Sequence, residues 1–322
     1  MLLPSCYILE EPCPLPDEQS FVLHLDFDTA LPLYKVITID DQTRVAEEDM
    51  DLRYIVSVYS AEEQGMTSGR NELHRFVFTK EDIAEPDHSV ELQLEPAEYN
   101  FIVWSDYVSS TSDLYYDTSS FEAISLKGEE HVGSNDYRDA FCGTITAEVS
   151  DAVTEATVDM RRPMAKFNVI STDLGEFIAA IETIRDKKAH SQGEEAVKEV
   201  ALSDFDIVFS YNGYMPDVFN TFSNKPSDSA TGVSFRSKMT ALENNEAELG
   251  FDYIFVNGAE SVVNITVEVY DYDGDMVSRF KPIDVPLMRS HLTTIKANFL
   301  TSNDGGVNVD PDYDGDFNIT IP

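Results

Sequence analysis

The chain has 322 residues, enough for two domains that each bury a core, and its hydrophobic content of 42% excludes global disorder. Sixty acidic residues stand against twenty-two basic ones, a net charge of −38 that repels phosphate backbones and anionic headgroups and argues against nucleic acid as a partner. No run of about 18 apolar residues is present, so no segment reads as a membrane-spanning helix.

At the start of the chain, Leu3-Pro4-Ser5-Cys6 has the form of the end of a bacterial lipoprotein signal, with a small residue before the cysteine that would be acylated. Met1 to Ser5 has no positive n-region and no full apolar h-region. Either the signal is truncated and Cys6 carries lipid, or Cys6 is an ordinary thiol. The cysteines, Cys6, Cys13 and Cys142, are three in number and lack metal-ligand spacing, so an exported chain keeps at least one sulfur without an intramolecular partner. Pro12, Pro14 and Pro16 among acidic residues make the stretch up to residue 19 an extended spacer, and residues 1–19 are expected to be signal and tether.

The first strand is predicted at 21–27, where four apolar side chains share one face. Further strands are predicted at 54–59, 74–79, 89–94 and 99–104, the last two joined as a hairpin by Glu95-Pro96-Ala97-Glu98. From 105 to 143 the pattern dissolves into Ser, Asp, Tyr and Gly. A connection of this length is a surface excursion with a binding role or a loosely ordered insertion. Its Tyr107, Tyr115, Tyr116 and Phe121 either stack on a ligand or partner, or fold back over the sheet. Strands at 144–149 and 156–160 close a first domain, expected over residues 20–161.

The second domain, expected over 162–322, opens at Arg162-Pro163. Proline suits the first position of a strand, and behind it Ala165, Phe167 and Val169 point one way while Met164, Lys166, Asn168 and Ile170 point the other. Thr172 or Asp173 is the predicted helix N-cap with Glu176 reaching back, and Leu174, Phe177, Ile178, Ile181 and Ile184 mark the face that lies on the sheet. Strands are predicted at 205–211, 232–236, 249–256, 262–271, 276–285, 292–300 and 316–321. Short strands with turn signals between them describe a mainly β protein, a sandwich in each of two domains, with one helix on the second.

Chemistry is sparse. No zinc-protease, nucleophile-elbow, phosphate-loop or dinucleotide pattern occurs, and the six histidines are scattered singly. Cys142, in Phe141-Cys142-Gly143, reads as a small buried hydrophobe. Asp310, Asp312 and Asp314, with Gly315, resemble the opening of a calcium loop, but Ile321 stands where the bidentate glutamate belongs, so this is a weak metal candidate. Asp271-Tyr272-Asp273-Gly274-Asp275 reads as a hairpin turn. No cofactor and no enzymatic activity is expected.

Cys6-Tyr7-Ile8-Leu9-Glu10-Glu11-Pro12-Cys13-Pro14 followed by a strand resembles the N-terminus of minor, anchor-type subunits of Bacteroidetes type V fimbriae. Residues 98–104 after a tight turn look like that family's recurrent hairpin. Arg162-Pro163-Met164-Ala165-Lys166-Phe167 with Ser171-Thr172-Asp173-Leu174 is similar to the start of the second fimbrillin domain. Residues 285–295 with Phe299-Leu300-Thr301 are similar to its closing strands. The resemblance implies two transthyretin-like sandwiches and a surface-exposed lipoprotein of the cell outer membrane, anchored through Cys6. It also implies an anchor or accessory role in fimbrial assembly and adhesion, with other fimbrial subunits met by strand exchange or edge pairing. Stalk subunits lose their first strand after an arginine, whereas here the first arginine is Arg44, beyond the 21–27 strand, which favours an uncleaved subunit. The alternative is a surface lipoprotein that binds a glycan or host protein through Tyr107, Tyr115 and Tyr116.

Overall fold

The computed structural model describes residues 18–28, 50–84, 88–192, 200–258, 260–301 and 317–320. Cys6, Cys13, Arg44 and the acidic run with Asp310, Asp312 and Asp314 lie outside these.

Strict alternation builds the first strand: β1 (Gln19–Phe27) buries Phe21, Leu23 and Leu25 and leaves the residues between them toward solvent. After it come β2 (Asp51–Ser60), β3 (Glu72–Thr79), β4 (Ser89–Leu94), β5 (Ala97–Val108), two short strands β6 (Tyr116–Asp117) and β7 (Ile124–Leu126), then β8 (Ala140–Val149) and β9 (Glu155–Met160). They form one sheet in the order β4-β1-β9, with β1 antiparallel to β4 and parallel to β9, and a second in the order β3-β2-β5-β8. A core of Phe21, Leu23, Val56, Val58, Leu92, Phe101 and Val158 lies between them, with the Phe21 and Phe101 rings stacked at 5.4 Å.

The predicted hairpin of 89–94 with 99–104 is not formed. β4 pairs with β1, and β5 pairs with β2 and β8, so the turn at Glu95 and Pro96 carries the chain from one sheet to the other. Val90, Leu92 and Leu94 then face Phe101 and Val103 across the core; side by side in one sheet they would bury far less apolar surface.

The second lobe has β10 (Met164–Ser171), α1 (Leu174–Gln192), β11 (Asp206–Tyr211), β12 (Tyr214–Asn220), β13 (Lys225–Thr231), β14 (Ser234–Ser237), β15 (Thr240–Ala241), β16 (Ala247–Phe255), β17 (Ser261–Tyr270), β18 (Met276–Leu287), β19 (Leu292–Ala297) and β20 (Phe317–Thr320). Sheets in the orders β15-β16-β10-β19-β20 and β14-β11-β17-β18 enclose Phe167, Val169, Phe209, Leu249, Ile265, Val267 and Ile295. β12 and β13 have no counterpart among the predicted strands. They join β6 and β7 of the long insertion in a sheet of order β13-β12-β7-β6, which draws the 105–143 segment onto the second lobe.

Helix α1 lies on the second core through Phe177 and Ile181, with Phe177 edge-on to Phe205 at 4.9 Å. Ile184, predicted on the same face, is 59% exposed. The inner face follows the four-residue row 177, 181, 185, 189 instead: Ala189 is buried, and Arg185 turns to Asp204 at 3.0 Å and over Phe205. Asp173 takes the predicted N-cap position, its carbonyl accepting from the Phe177 amide at 3.0 Å, but its side chain does not cap the helix. Asp173 is occupied by Thr301, accepting from its amide at 2.8 Å and its hydroxyl at 2.6 Å. The helix start is completed by a remote residue, Asn245, whose Oδ1 accepts from the Gly175 amide at 2.6 Å and whose Nδ2 donates to Glu176 at 3.0 Å. Asn245 sits in the left-handed region, φ 65°, where asparagine is tolerated and alanine strained. Asn245→Ala should therefore lower the stability read from urea denaturation by about 1–2 kcal/mol, the cost of a lost cap plus strain; an unchanged midpoint would show that the helix start needs no such partner.

Candidate functional site

Two strands of the first lobe are buried along nearly their whole length, residues 53–59 of β2 and 99–106 of β5. A strand covered on both faces needs a second layer, and here the insertion supplies it. Ile55, Tyr59, Ile102 and Trp104 of the outer face meet Tyr116, Phe121 and Ile124 of the insertion and Met164, Phe219, Tyr253 and Phe255 of the second lobe in a third apolar cluster. Trp104 meets Tyr116 edge-on at 5.4 Å, and the Tyr116 hydroxyl donates to the Arg138 carbonyl. The 105–143 segment is a strap that fastens one lobe to the other.

Its root is held by Arg53, 2% exposed, whose Nε and Nη2 donate to Asp106 at 2.9 and 2.7 Å and whose Nη1 donates to Asp113 at 2.8 Å. Burial works against the Asp113 charge, but hydrogen bonds from the Thr118 hydroxyl and amide and from Arg53 outweigh it and hold the carboxyl below its usual range. In mid-course β7 pairs with β12 at Ser125 and Ile124, and Thr221 donates both its amide and its hydroxyl to the Phe121 carbonyl.

The far end converges on Asp252 of β16, 1% exposed. Its Oδ2 accepts from His131 Nε2 at 2.5 Å and from the Tyr211 hydroxyl at 2.6 Å, while Oδ1 accepts from Arg138 and from the Tyr253 amide at 2.8 Å. Arg138, itself 3% exposed, also donates to the Val132 carbonyl at 2.6 Å. Burial opposes the Asp252 charge; the Arg138 guanidinium and His131 more than offset it, and the carboxyl is held below the usual carboxylate range. Gly133 permits the approach, since a Cβ there would overlap the Phe235 ring. Where the strap returns to β8, Asp139 accepts from Arg162 Nε and Nη2, both at 2.8 Å, and the Arg162 guanidinium lies 4.5 Å over Phe141.

The three predicted contact tyrosines do not share a surface. Tyr115 and Tyr116 are successive residues at a strand and so point to opposite faces: Tyr116 is 1% exposed in the third cluster, and Tyr115 is half-buried with its hydroxyl accepting from Asn135 Nδ2 at 2.9 Å. Tyr107 is half-buried and edge-on to Tyr137 at 5.4 Å. The reading in which these aromatics fold back over the sheet describes Tyr116 and Phe121. Cys142 is buried, and burial pushes its thiol up to about 12, against the pull of Arg289, so it stays protonated. Asp271 accepts the Asp273 and Asp275 amides at 3.0 and 2.9 Å, which closes the β17–β18 hairpin as read from the sequence. Among the described residues no group of three or more His, Cys, Asp or Glu is placed to hold a metal. Arg138, Asp252 and His131 escaped the sequence reading, because residues 114 and 121 positions apart leave no periodic signal.

Fold and site together define a mainly β protein of two lobes strapped by buried ion pairs. The chain belongs to the DUF6562 family, a family of unknown function, which it matches over residues 17–322. No curated protein matches it at the sequence level. Solved structures similar to it include a candidate adhesin from Bacteroides ovatus, 10% identical over 82% of this chain and 76% of that one with a TM-score of 0.47. They also include the fimbrial anchor protein Mfa2 from Porphyromonas gingivalis, 11% identical over 94% and 95% with a TM-score of 0.43. A third is a candidate cell adhesion protein from Bacteroides eggerthii, 11% identical over 97% of each chain with a TM-score of 0.44.

Asp252→Asn would leave the Arg138 guanidinium buried without a counter-charge and should cost about 3–5 kcal/mol; Arg138→Met should cost a similar amount, and the two together less than the sum. Trp104, the sole tryptophan, stands in the same seam and reports the loss by fluorescence during urea denaturation. The pH dependence has a definite sign. Folded carboxyls held below their usual pKa stabilise above the unfolded value of about 3.9, and that stability is lost as pH falls through the folded values. Asp106 and Asp139, pushed up by burial against the pull of their arginines, act in the opposite sense, so the test is differential: wild type should lose stability relative to Asp252→Asn as pH falls below about 4, and a gap unchanged from pH 7 to pH 3 would contradict the role given to Asp252.

Proposed function

We propose that the chain is a non-enzymatic surface lipoprotein of the fimbrillin type, attached to the cell outer membrane through acylated Cys6 and serving as an anchor or accessory subunit in fimbrial assembly and adhesion. Residues 1–19 act as signal remnant and tether, and 20–161 and 162–322 as its two domains. The observation that carries this reading is the place of β1. It is the central strand of its sheet, hydrogen-bonded on both sides, with Phe21, Leu23 and Leu25 at the heart of the first core. Losing it would expose three buried side chains at about 1.5–3 kcal/mol each and open the sandwich. No arginine or lysine stands between Cys6 and Phe27 to invite such processing.

A subunit that keeps its first strand meets others at its open edges. Among the described residues β3 is such an edge: it pairs only with β2, and Leu73 and Val77 on its outer face are 43% and 46% exposed. Backbone groups on a free edge accept a strand from another fimbrial subunit, and alternate side chains set the register.

Expression of the natural precursor followed by membrane fractionation tests the anchor: the wild type should sediment with the outer membrane and carry acyl chains, and Cys6→Ala should stay soluble. Equal solubility of both would end the anchoring reading. Mass spectrometry of the protein taken from the envelope should recover residues 19–27 in the mature chain, and their absence would make it a processed, polymerising subunit instead.

A further inference from the structure

Where the strap turns back toward β8 it sets one of its acids on an amine of the second lobe. Lys166 of β10 faces Tyr253 of β16 in the ladder, and its side chain, 8% exposed, carries Nζ 3.9 Å over the Phe251 ring and 4.9 Å over the Tyr253 ring. From there Nζ donates to Asp136 Oδ1 at 2.7 Å. The same oxygen accepts from the Tyr253 hydroxyl at 3.3 Å, and burial pushes that hydroxyl's pKa up, so it keeps its proton to give. A second acid completes the group. Glu248 of β16 is half-buried, hydrogen-bonded to Asn168 and near enough to feel the charges of Lys166 and Asp136. Burial pushes its carboxyl up against the pull of Lys166 and Asn168, which suits it to take a proton.

An ion pair needs only Lys166 and Asp136. Here the nitrogen is also fixed by two rings against the carboxyl, the oxygen it approaches has a second donor, and a proton acceptor stands beside it. Those are the parts of an acyl transfer: a nucleophile, an electrophilic carbon, a donor for the oxyanion and a proton carrier.

We propose that Lys166 and Asp136 condense to an amide, a covalent bond that ties the strap to the second lobe, with Glu248 as the proton carrier. Glu248 takes a proton from the Lys166 ammonium, and the freed amine attacks Asp136 Cγ. Negative charge gathers on Oδ1, toward the Tyr253 hydroxyl. The Nζ–Cγ bond forms and the Cγ–Oδ2 bond breaks, and two of the ammonium's three protons pass through Glu248 to Oδ2, which leaves as water. One ammonium and one carboxylate become one amide and one water, nothing is oxidised, and Glu248 ends as it began. The Asp136 side chain stands at the rim, 60% exposed, so the water has a way out. Well-oriented pairs of this kind react as if at roughly 10⁵–10⁸ M, which a free amine and acid in water never approach. The bond lies between the Arg138 and Arg162 pairs and depends on neither a lipid anchor nor a fimbrial partner, so it stands or falls apart from both.

Mass spectrometry of the full chain, reduced and denatured, tests it. The wild type should be lighter than its sequence by one water, and a protease digest should contain a branched peptide joining Lys166 to Asp136. Lys166→Arg, which keeps the positive charge, and Asp136→Ala should have the full mass of their sequences. Glu248→Gln should be recovered mostly unlinked, since loss of a proton carrier slows such a step by roughly a hundredfold or more. The wild-type mass and the branched peptide need no variant to fold. A wild-type chain at its full mass, a water lost at an aspartate-glycine turn in place of Lys166 and Asp136, or a water loss that persists in Lys166→Arg would overturn the proposal. Glu248→Gln linked as fully as the wild type would overturn the role given to that acid.

Discussion

A carboxylate with 1% of its surface in contact with water cannot remain charged unless something replaces the solvent, and at Asp252 the replacement comes from two parts of the chain at once. Tyr211 and the Tyr253 amide belong to the second lobe; Arg138 and His131 belong to the strap that leaves the first. Neither side satisfies the group alone. An apolar pairing at this point would be as stable or more so, but it would tolerate slippage, whereas a buried guanidinium on a buried carboxylate admits one register. Arg53 makes buried pairs at the strap's root with Asp106 and Asp113, and Arg162 makes one where the strap returns, with Asp139, though at Asp106 and Asp139 burial still pushes the carboxyl up. Three arginines thus pin the two ends and the return of one excursion, in a chain with only twenty-two basic residues.

The consequence for packing is the third apolar cluster. Residues 53–59 and 99–106 are buried on both faces because the strap covers the side that the first core does not. β10 is treated alike: all eight of its residues are buried, with Ala165, Phe167 and Val169 in the second core and Met164 in the seam. Lobes that share such a seam unfold together more readily than lobes joined by a linker, because opening it strands both charge and apolar surface in water. That coupling gives the buried ion pairs a mechanical sense in a protein proposed to stand between a membrane and a filament.

Local periodicity made most strands legible. The 89–94 segment has the predicted bounds, a strand follows Pro163 as read, and the helix begins where the apolar spacing starts at Leu174. Partners were read correctly at the Asp271–Asp275 hairpin but not where the turn or the strand itself carried no such mark. The proline turn at Pro96 looked like a hairpin because a short turn between strands carries no mark of which sheet each will join. β12 and β13 were invisible because Pro216, Asp217 and the polar run from Lys225 to Thr231 lack alternation; the pairing of β12 with β7 of the strap and of β13 with β12 holds them, not their own sequence. A contrary hint did exist. The unbroken apolar run Phe101-Ile102-Val103-Trp104 has no polar face, and a strand without one must be covered on both sides.

Charge ties these features to what the surface can do. At −38 the molecule repels copies of itself and other acidic partners over any broad contact. Contacts that survive such repulsion are those carried by backbone, as along the edge of β3 that no described strand covers. The same irregularity that hid β12 from a reading of the sequence is a proline-led bulge that takes Asp217 out of the ladder. Repairing the strand with an alternating, proline-free sequence would make it easier to recognise and would return residue 217 to the ladder.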